Sequence, residues 1–185
     1  APGSVPTLAL NEILAVATPG STAPGFIEVI NFGDQPASLA GLSLSDDADA
    51  PTKWAFPPDT TLAPGQVLSI ACDASQPASS QQTGFHLPRL GGAVFLFQAR
   101  QDEQGLVDAV RYGLQISGFS IGRFPAAVGA WNLAQPTPGE TNLPTPLAPS
   151  STLRLNEWMA DPAAGSDWIE LHNTASQPVA LGGLF

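Results

Sequence analysis

The feature that most constrains this chain is an internal repeat of a strand–loop–strand pattern. Each copy carries a Leu-x-Leu-Asn-Glu motif, then Ile-Glu-x-x-Asn, then a Gln-Pro pair. The copies span residues 8–42 and 153–184, and only the loop between the first two motifs changes length. A repeat of this size indicates whole domains in tandem rather than a short-period solenoid.

The repeat predicts one complete domain followed by part of a second. We expect a leader over residues 1–7, a complete domain over 8–142, a proline-rich linker over 143–152 and a partial copy over 153–185. A domain of about 135 residues buries roughly two-thirds of its unfolded surface, so it needs neither a disulfide nor a metal to fold. The prolines of the linker favour a semi-rigid, extended spacer.

The local patterns predict an all-β fold. The chain contains 18 glycines and 19 prolines, and 43% of its residues are hydrophobic, a mixture typical of short strands joined by tight turns. Residues 26–30 and 93–97 are rich in β-branched and aromatic side chains, which favour strands. We find no helical periodicity sustained over ten or more residues. The sequence therefore predicts an antiparallel β-sandwich.

Charge and hydropathy exclude several classes of function. The net charge is −10, and the six basic residues are scattered along the chain, which disfavours binding to nucleic acid or to anionic membranes. No apolar run approaches the roughly 20 residues of a membrane span. An acidic, lysine-poor composition is typical of secreted proteins, so we expect an extracellular or cell-surface location. The single Cys72 lies in a predicted strand and is either a buried apolar side chain or a reactive thiol.

A series of motifs in fixed order carries a family resemblance. They are LNEI at 10–13, FIEVIN at 26–31, GLSLSDDADAPTKWAFP at 41–57, LAPG at 62–65, SIGRFP at 120–125, AW at 130–131 and PTPGETN at 136–142. Together they resemble the bacterial version of the lamin tail domain over about residues 8–142. Residues 153–185 resemble the first third of that domain.

The resemblance implies an immunoglobulin-like β-sandwich without enzymatic activity. Bacterial members occur in secreted or surface proteins, alone, in arrays, or beside extracellular hydrolases and nucleases. Two functions follow as expectations: a structural or adhesive module, or an accessory targeting and binding domain of a larger extracellular hydrolase or nuclease. The chain has no coiled-coil rod and no basic patch, so the nucleic-acid role of nuclear lamins is not expected.

An acidic loop after the third predicted strand is a candidate calcium site. Asp46, Asp47 and Asp49, together with Asp34, are hard oxygen ligands of the type that Ca²⁺ prefers. Their spacing does not match an EF-hand. The alternative is that these side chains accept backbone N–H bonds in consecutive turns. We expect no other cofactor.

Two glutamates flanked by apolar residues form the second candidate group. Glu12 and Glu28 can be read as an acid–base pair. They can also be read as structural carboxylates beside the core, either ion-paired to Arg123 or Lys53 or held by hydrogen bonds. Both glutamates recur in the second copy, which favours a requirement of the fold. On that interpretation Glu28→Gln lowers stability by about 1–3 kcal/mol.

The partial second copy needs cover for its apolar residues, because two or three unsupported strands are marginal in water. The residues concerned are Leu155, Trp158, Trp168, Ile169, Leu171, Leu181 and Leu184. Cover can come from the first domain of the same chain or from a neighbouring chain, by strand addition or a shared sandwich. Head-to-tail contact between chains would form an open filament. A third alternative is that the chain is a section of a longer array. We therefore predict self-association or contact with neighbouring domains of the same protein.

Overall fold

The computed structural model describes residues 7–17, 20–99 and 104–182. The chain forms two compact units, Ala1–Pro144 and Thr145–Phe185. The strands of the first unit are β1 (Leu8–Leu14), β2 (Gly25–Asn31), β3 (Ala37–Ser38), β4 (Leu42–Ser45), β5 (Trp54–Ala55), β6 (Thr61–Leu62), β7 (Val67–Cys72), β8 (Gly92–Ala99), β9 (Gln104–Tyr112), β10 (Ser120–Phe124), β11 (Ala130–Gln135) and β12 (Leu143–Pro144).

Two antiparallel sheets make up most of the first unit. The larger sheet has the strand order β12-β11-β10-β1-β2-β7, and the smaller has the order β5-β4-β8-β9. Strands β3 and β6 form a separate two-stranded sheet. Apolar side chains from both large sheets form one continuous core, so the predicted antiparallel β-sandwich is confirmed.

The core is organised around the hairpin of β1 and β2. Leu10 and Ile13 of β1 and Ile27 and Val29 of β2 are fully buried. The register shifts between Leu10 and Glu12, which marks a β-bulge. The extra residue at the bulge lets Leu10 and Ile13, three positions apart, both face the core although side chains alternate along a regular strand. Full burial of each such side chain stabilises the fold by roughly 1.5–3 kcal/mol.

The segment predicted as a spacer is partly built into the two units. Leu143 and Pro144 form the edge strand β12 beside β11, a position where a proline is tolerated. In the second unit, the N–H of Ala148 donates to the carbonyl of Pro178 at 2.8 Å. Residues Ser150–Thr152 form a 3₁₀ turn. Residues 143 and 144 therefore belong to a strand of the first unit, and the N–H groups of Ala148 and Thr152 are hydrogen-bonded within the second.

The described part of the second unit contains one antiparallel hairpin. Its strands are β13 (Leu153–Met159) and β14 (Trp168–Asn173). Leu184 lies outside the described residues, as do residues 1–6 of the predicted leader. Among the described residues there is no helix with the length and apolar character needed to cross a membrane.

Candidate functional site

Two carboxylates lie opposite each other in the β1–β2 hairpin. Glu12 and Glu28 are paired in register directly after the bulge, and each is 0% exposed. A buried carboxylate is stable only when hydrogen-bond donors replace the water it has lost. The donors around this pair therefore decide what the site can do.

Glu12 takes its donors from two distant segments. The hydroxyl of Ser120 in β10 donates to Oε1 at 2.5 Å, and the hydroxyl of Thr137 donates to Oε2 at 2.8 Å. The N–H of Thr137 lies 3.1 Å from Oε1 and 3.3 Å from Oε2. Burial raises the pKa of Glu12 above its usual value, and these hydrogen bonds partly oppose the increase.

Glu28 is held by one side chain and one backbone group. The side-chain amide of Asn11 donates to Oε1 at 2.9 Å, and the N–H of Gly139 donates to Oε2 at 2.8 Å. Gly139 has φ +83°, a left-handed conformation that favours glycine. Burial raises the pKa of Glu28 to about 7, the two hydrogen bonds lower it, and the nearby charge of Glu12 raises it further.

Asn11 and Asn142 complete the hydrogen-bond network around the two glutamates. The amide of Asn11 donates to Oδ1 of Asn142 at 2.9 Å, and the amide of Asn142 donates to the carbonyl of Asn11 at 2.9 Å. The N–H of Ala127 donates to Oδ1 of Asn11 at 3.1 Å. We call the following residues the carboxylate cluster: Asn11, Glu12, Glu28, Ser120, Thr137, Gly139 and Asn142. The cluster fastens residues 120–142 to the β1–β2 hairpin.

A glycine in β10 makes room for this arrangement. A Cβ atom at Gly122 would lie 2.8 Å from Nδ2 of Asn142, which is closer than a side chain can approach. Gly122 is also the partner of Glu12 in the pairing of β1 with β10. A glycine inside a strand often marks such a close approach.

The structure corrects the expected partner of Arg123. Arg123 is not paired with either glutamate; its Nη2 donates to both carboxylate oxygens of Asp108 at 2.8 and 2.9 Å. Lys53 pairs with Asp46 at 2.7 Å. Of the two structural alternatives for Glu12 and Glu28, the structure therefore gives the hydrogen-bonded one. The ion-pair alternative is not realised, because the donors to the two carboxylates are Asn11, Ser120, Thr137 and Gly139.

The Arg123–Asp108 pair joins the two large sheets. Nε of Arg123 donates to the carbonyl of Leu10 at 3.0 Å, and the N–H of Leu10 donates to Asp108 at 2.9 Å. Asp108 lies on β9 of the smaller sheet, whereas Leu10 and Arg123 lie on the larger one. The guanidinium also lies 4.9 Å from the ring centre of Trp131. Our sequence analysis did not single out Asp108, although a lone acid among the apolar residues of β9 was an available signal.

The acidic loop is residues 45–49. Oδ1 of Asp46 accepts a hydrogen bond from the Lys53 ammonium group, and Oδ1 of Asp47 accepts one from the N–H of Asp49 at 2.9 Å. The hydroxyl oxygen of Ser45 accepts a hydrogen bond from the N–H of Asp47 at 3.0 Å. In the described part of the chain, no three or more His, Cys, Asp or Glu side chains are grouped so that they could hold a metal ion. These contacts favour the turn interpretation of the loop, and calcium binding there stays a prediction.

Cys72 faces the core of the sandwich. It is 4% exposed, and burial raises the pKa of its thiol to about 12. The interpretation of Cys72 as a buried apolar side chain is confirmed.

The hairpin of the second unit repeats the geometry of the first. Leu155 pairs with Leu171 and Glu157 pairs with Glu170, with a register shift between Leu155 and Glu157. The corresponding pairs and the corresponding shift occur in β1 and β2. The backbone of the second copy therefore has the same strand register and the same bulge.

The local side-chain contacts are repeated as well. The amide of Asn31 donates to the carbonyl of Gln35 at 2.8 Å, and that of Asn173 donates to the carbonyl of Gln177 at 2.8 Å. The amide of Asn156 donates to Glu170, as Asn11 does to Glu28. Contacts within the hairpin are thus present in both copies.

The two copies differ in the exposure of their apolar side chains. The β1–β2 residues that correspond to Leu155, Trp158, Ile169 and Leu171 are 0% exposed. In the second unit the exposed fractions are Leu155 57%, Trp158 66%, Trp168 41%, Ile169 69%, Leu171 49% and Leu181 58%. Asn156, Glu157 and Glu170 are exposed too. We call β13 with β14 the C-terminal hairpin.

Comparison with known proteins gives one match. The Lamin Tail Domain family model matches residues 2–114, which is more than half of the chain. No curated protein and no solved structure matches it. The matched range ends before β10, so the motifs at 120–125 and 136–142 and the second copy lie outside it. Lamin tail domains are immunoglobulin-like, non-catalytic modules. The chain belongs to the lamin tail domain family.

Proposed function

We propose that this chain is a structural or adhesive module of a secreted or cell-surface bacterial protein, and that it assembles with neighbouring copies through its C-terminal hairpin. The observation that carries the proposal is the contrast between the two hairpins. They share register, bulge and internal hydrogen bonds, yet the apolar side chains that are buried in the first are exposed in the second.

Burial of its exposed apolar side chains against a partner would stabilise the C-terminal hairpin strongly. A two-stranded hairpin is marginally stable in water by itself. Covering each of Leu155, Trp158 and Ile169 would contribute roughly 1.5–3 kcal/mol. Contiguous apolar surface of this kind marks a site of protein contact.

The geometry of such contact favours an open assembly. A neighbour can cover the hairpin by adding a strand to its edge or by supplying the second layer of a sandwich. The surface that gives cover differs from the surface that receives it, so the contact is heterologous. Heterologous contacts that do not close into a ring produce filaments. A head-to-tail filament of sandwich modules is the assembly we propose.

The chemistry of the first unit supports a role without catalysis. Both buried glutamates are engaged by hydrogen bonds from the fold itself, and the thiol of Cys72 is buried. A net charge of −10 with a single lysine supports an extracellular or surface location and disfavours nucleic acid as a partner.

Sedimentation velocity over a range of chain concentrations near neutral pH tests the proposal, with electron microscopy of the largest species. We expect concentration-dependent assembly that is lost in Ile169→Asp, because a charge then occupies the apolar face. Leu90→Asp is the matched control, since Leu90 is an exposed apolar residue of the first unit at 83% exposure. A chain that stays monomeric at every concentration contradicts the proposal, as does unchanged assembly of Ile169→Asp.

A further inference from the structure

Strand β7 is an edge strand of the larger sheet, because β2 is its only neighbour there. The N–H of Ala71 donates to the carbonyl of Gln81 at 3.0 Å, and the N–H of Thr83 donates to the carbonyl of Ala71 at 2.9 Å. The backbone groups of Ala71 therefore point away from β2, and by alternation those of Val67 and Ser69 do so too. Among the residues that the structure describes, none is hydrogen-bonded to Val67 or Ser69 on that side. Residues 67–69 thus present an open main-chain edge.

A pocket of about 530 Å³ lies beside this edge. Its lining includes Leu14 of β1, Phe26 of β2, and Ser69 and Ala71 of β7. Phe26 is the register partner of both Leu14 and Ala71, so their side chains share one face of the sheet. Ile27, the next residue of β2, lies on the other face and in the core. The pocket is therefore on the outer face of the larger sheet, next to the open edge of β7.

Two prolines of the loop after β11, Pro136 and Pro138, also line the pocket. Thr137 lies between them and donates to Glu12 through its N–H at 3.1 Å and its hydroxyl at 2.8 Å. The carboxylate cluster therefore holds this wall in place, and the proline rings restrict its backbone further. A preformed, mostly apolar pocket of this size is typical of a binding site.

The charges around the pocket indicate what it binds. None of the described residues that line it is charged. Asp73 and Glu140 each lie two residues beyond a lining residue, and the chain as a whole has a net charge of −10. An uncharged side chain fits the pocket, because burying a charge without a partner is costly. Basic residues fit on either side of it, because opposite charges favour association.

We infer that the β7 edge and this pocket bind an extended segment of another protein by strand addition. The segment pairs antiparallel with residues 67–69, as all strands of this sheet pair with their neighbours. The residue opposite Ser69 then directs its N–H at β7 and its side chain into the pocket. An aromatic side chain with basic neighbours has the fitting size and charge. This surface belongs to the first unit, so the inference does not depend on the C-terminal hairpin.

A second copy of this chain fits the surface less well. The exposed aromatic residues among those described are Phe32, Trp158 and Trp168. None of them has a basic residue next to it in sequence, and the two tryptophans directly follow Glu157 and Asp167. Like charges at an interface oppose association. The observations therefore favour a segment of a different protein.

Fluorescence anisotropy with a synthetic peptide tests the inference on the full chain, at concentrations below the onset of assembly. The probe is a rhodamine-labelled peptide of sequence Lys-Lys-Val-Trp-Val-Lys-Lys. We expect saturable binding, and we expect the amide resonances of Val67 and Ser69 to shift in the NMR spectrum of the chain. N-methylation of the peptide's tryptophan should weaken binding by about tenfold or more, because it removes a hydrogen bond to the edge and blocks close approach. N-methylation of the preceding valine is the matched control, since that N–H points away from β7.

Ala71→Phe tests the pocket from the side of the chain. The added ring occupies the space beside Phe26, so peptide binding should fall by about tenfold or more, because the anchor side chain of an interface carries much of the binding energy. Ala55→Phe is the matched control, since it makes the same substitution on β5, an edge strand of the smaller sheet. The N-methylated peptides test the pairing without altering the chain.

Absence of saturable binding overturns the inference, as does an N-methyl-tryptophan peptide that binds as tightly as the parent. Equal binding to wild type and Ala71→Phe also overturns it, because the peptide then lies elsewhere. If the neutral dye N-phenylnaphthylamine binds wild type but not Ala71→Phe while the peptide does not bind, the pocket takes a small apolar molecule instead. If the resonances of Val67 and Ser69 shift with chain concentration alone, a second copy occupies the edge, and this result overturns the inference as well. The proposed assembly is tested separately, by the sedimentation of Ile169→Asp.

Discussion

Glu28→Gln should change how the stability of the first unit depends on pH. Glu28 is fully buried, and its pKa is raised from 4.5 to about 7 by burial. The unfolded chain therefore releases this proton near pH 4.5, whereas the folded chain holds it until about pH 7. Such a group contributes stability that is fully present below pH 4.5 and is lost as the pH rises through about 7.

The size of the effect follows from the same two values. At about 1.4 kcal/mol for each pH unit, the free energy of unfolding falls by roughly 3 kcal/mol between pH 4.5 and pH 7 through Glu28 alone. Glu12 acts in the same direction because burial raises its pKa as well. Relaxation of the protein and solvent around Glu12 and Glu28 reduces the cost of a buried charge, so this change in the free energy of unfolding is an upper value.

The glutamine variant separates this titration from the hydrogen bonds. The amide keeps one acceptor oxygen and turns its NH₂ group towards a donor, either Asn11 or Gly139. At pH 5 we expect Glu28→Gln to lower the free energy of unfolding by about 1–3 kcal/mol, because a buried donor loses its acceptor. At pH 8 the wild-type carboxylate is charged and costly, so the variant should equal or exceed the wild type in stability.

Urea unfolding at pH 5 and pH 8, followed by near-UV circular dichroism, measures both effects. The matched control is Glu140→Gln, an exposed residue next to Gly139, which should follow the wild type at both pH values. A difference between wild type and Glu28→Gln that is the same at pH 5 and pH 8 would refute the reasoning, because it would mean that Glu28 does not titrate in this range when folded.

The remaining predictions concern the other polar contacts of the first unit. Asp108→Asn should lower the free energy of unfolding by about 1.5–3 kcal/mol, because it breaks a mostly buried, two-oxygen contact with Arg123. Asp46→Asn is its control and should cost under about 1 kcal/mol in the same urea titration, since the pair with Lys53 is more exposed. Equal losses in the two variants would contradict the role given to Asp108. Differential scanning calorimetry should give the same Tm with EDTA as with added calcium, because the carboxylates of Asp46 and Asp47 already accept hydrogen bonds from the chain; a calcium-dependent rise in Tm would support the calcium site instead.

Local patterns predicted the hairpins well. Alternation places Ile27 and Val29 on one face of the strand, and both are fully buried. The repeat itself predicted that Glu12 and Glu28 are required by the fold, because both recur in a second copy with no catalytic motif. The bulge that brings Leu10 and Ile13 to one face was not predicted, since nothing in the residue types alone marks it.

Long-range partners could not be predicted in the same way. The contacts of Glu12 with Ser120 and Thr137 join residues more than a hundred positions apart, and no local spacing encodes such a contact. The sequence left Arg123 as one of several alternative partners of the glutamates, because charge alone does not distinguish Asp108 from them. The topology decides, since β10 carries Arg123 to the side of β1 that faces β9.

Hydrogen–deuterium exchange at two chain concentrations tests the central claim most directly, namely that the exposed apolar face of the C-terminal hairpin is covered by a protein partner. The amides of β1 and β2 serve as the internal reference and should be protected at both concentrations. The account predicts that the amides of β13 and β14 exchange rapidly in dilute solution and become protected as the concentration rises. Protection of β13 and β14 that does not change with concentration would contradict it.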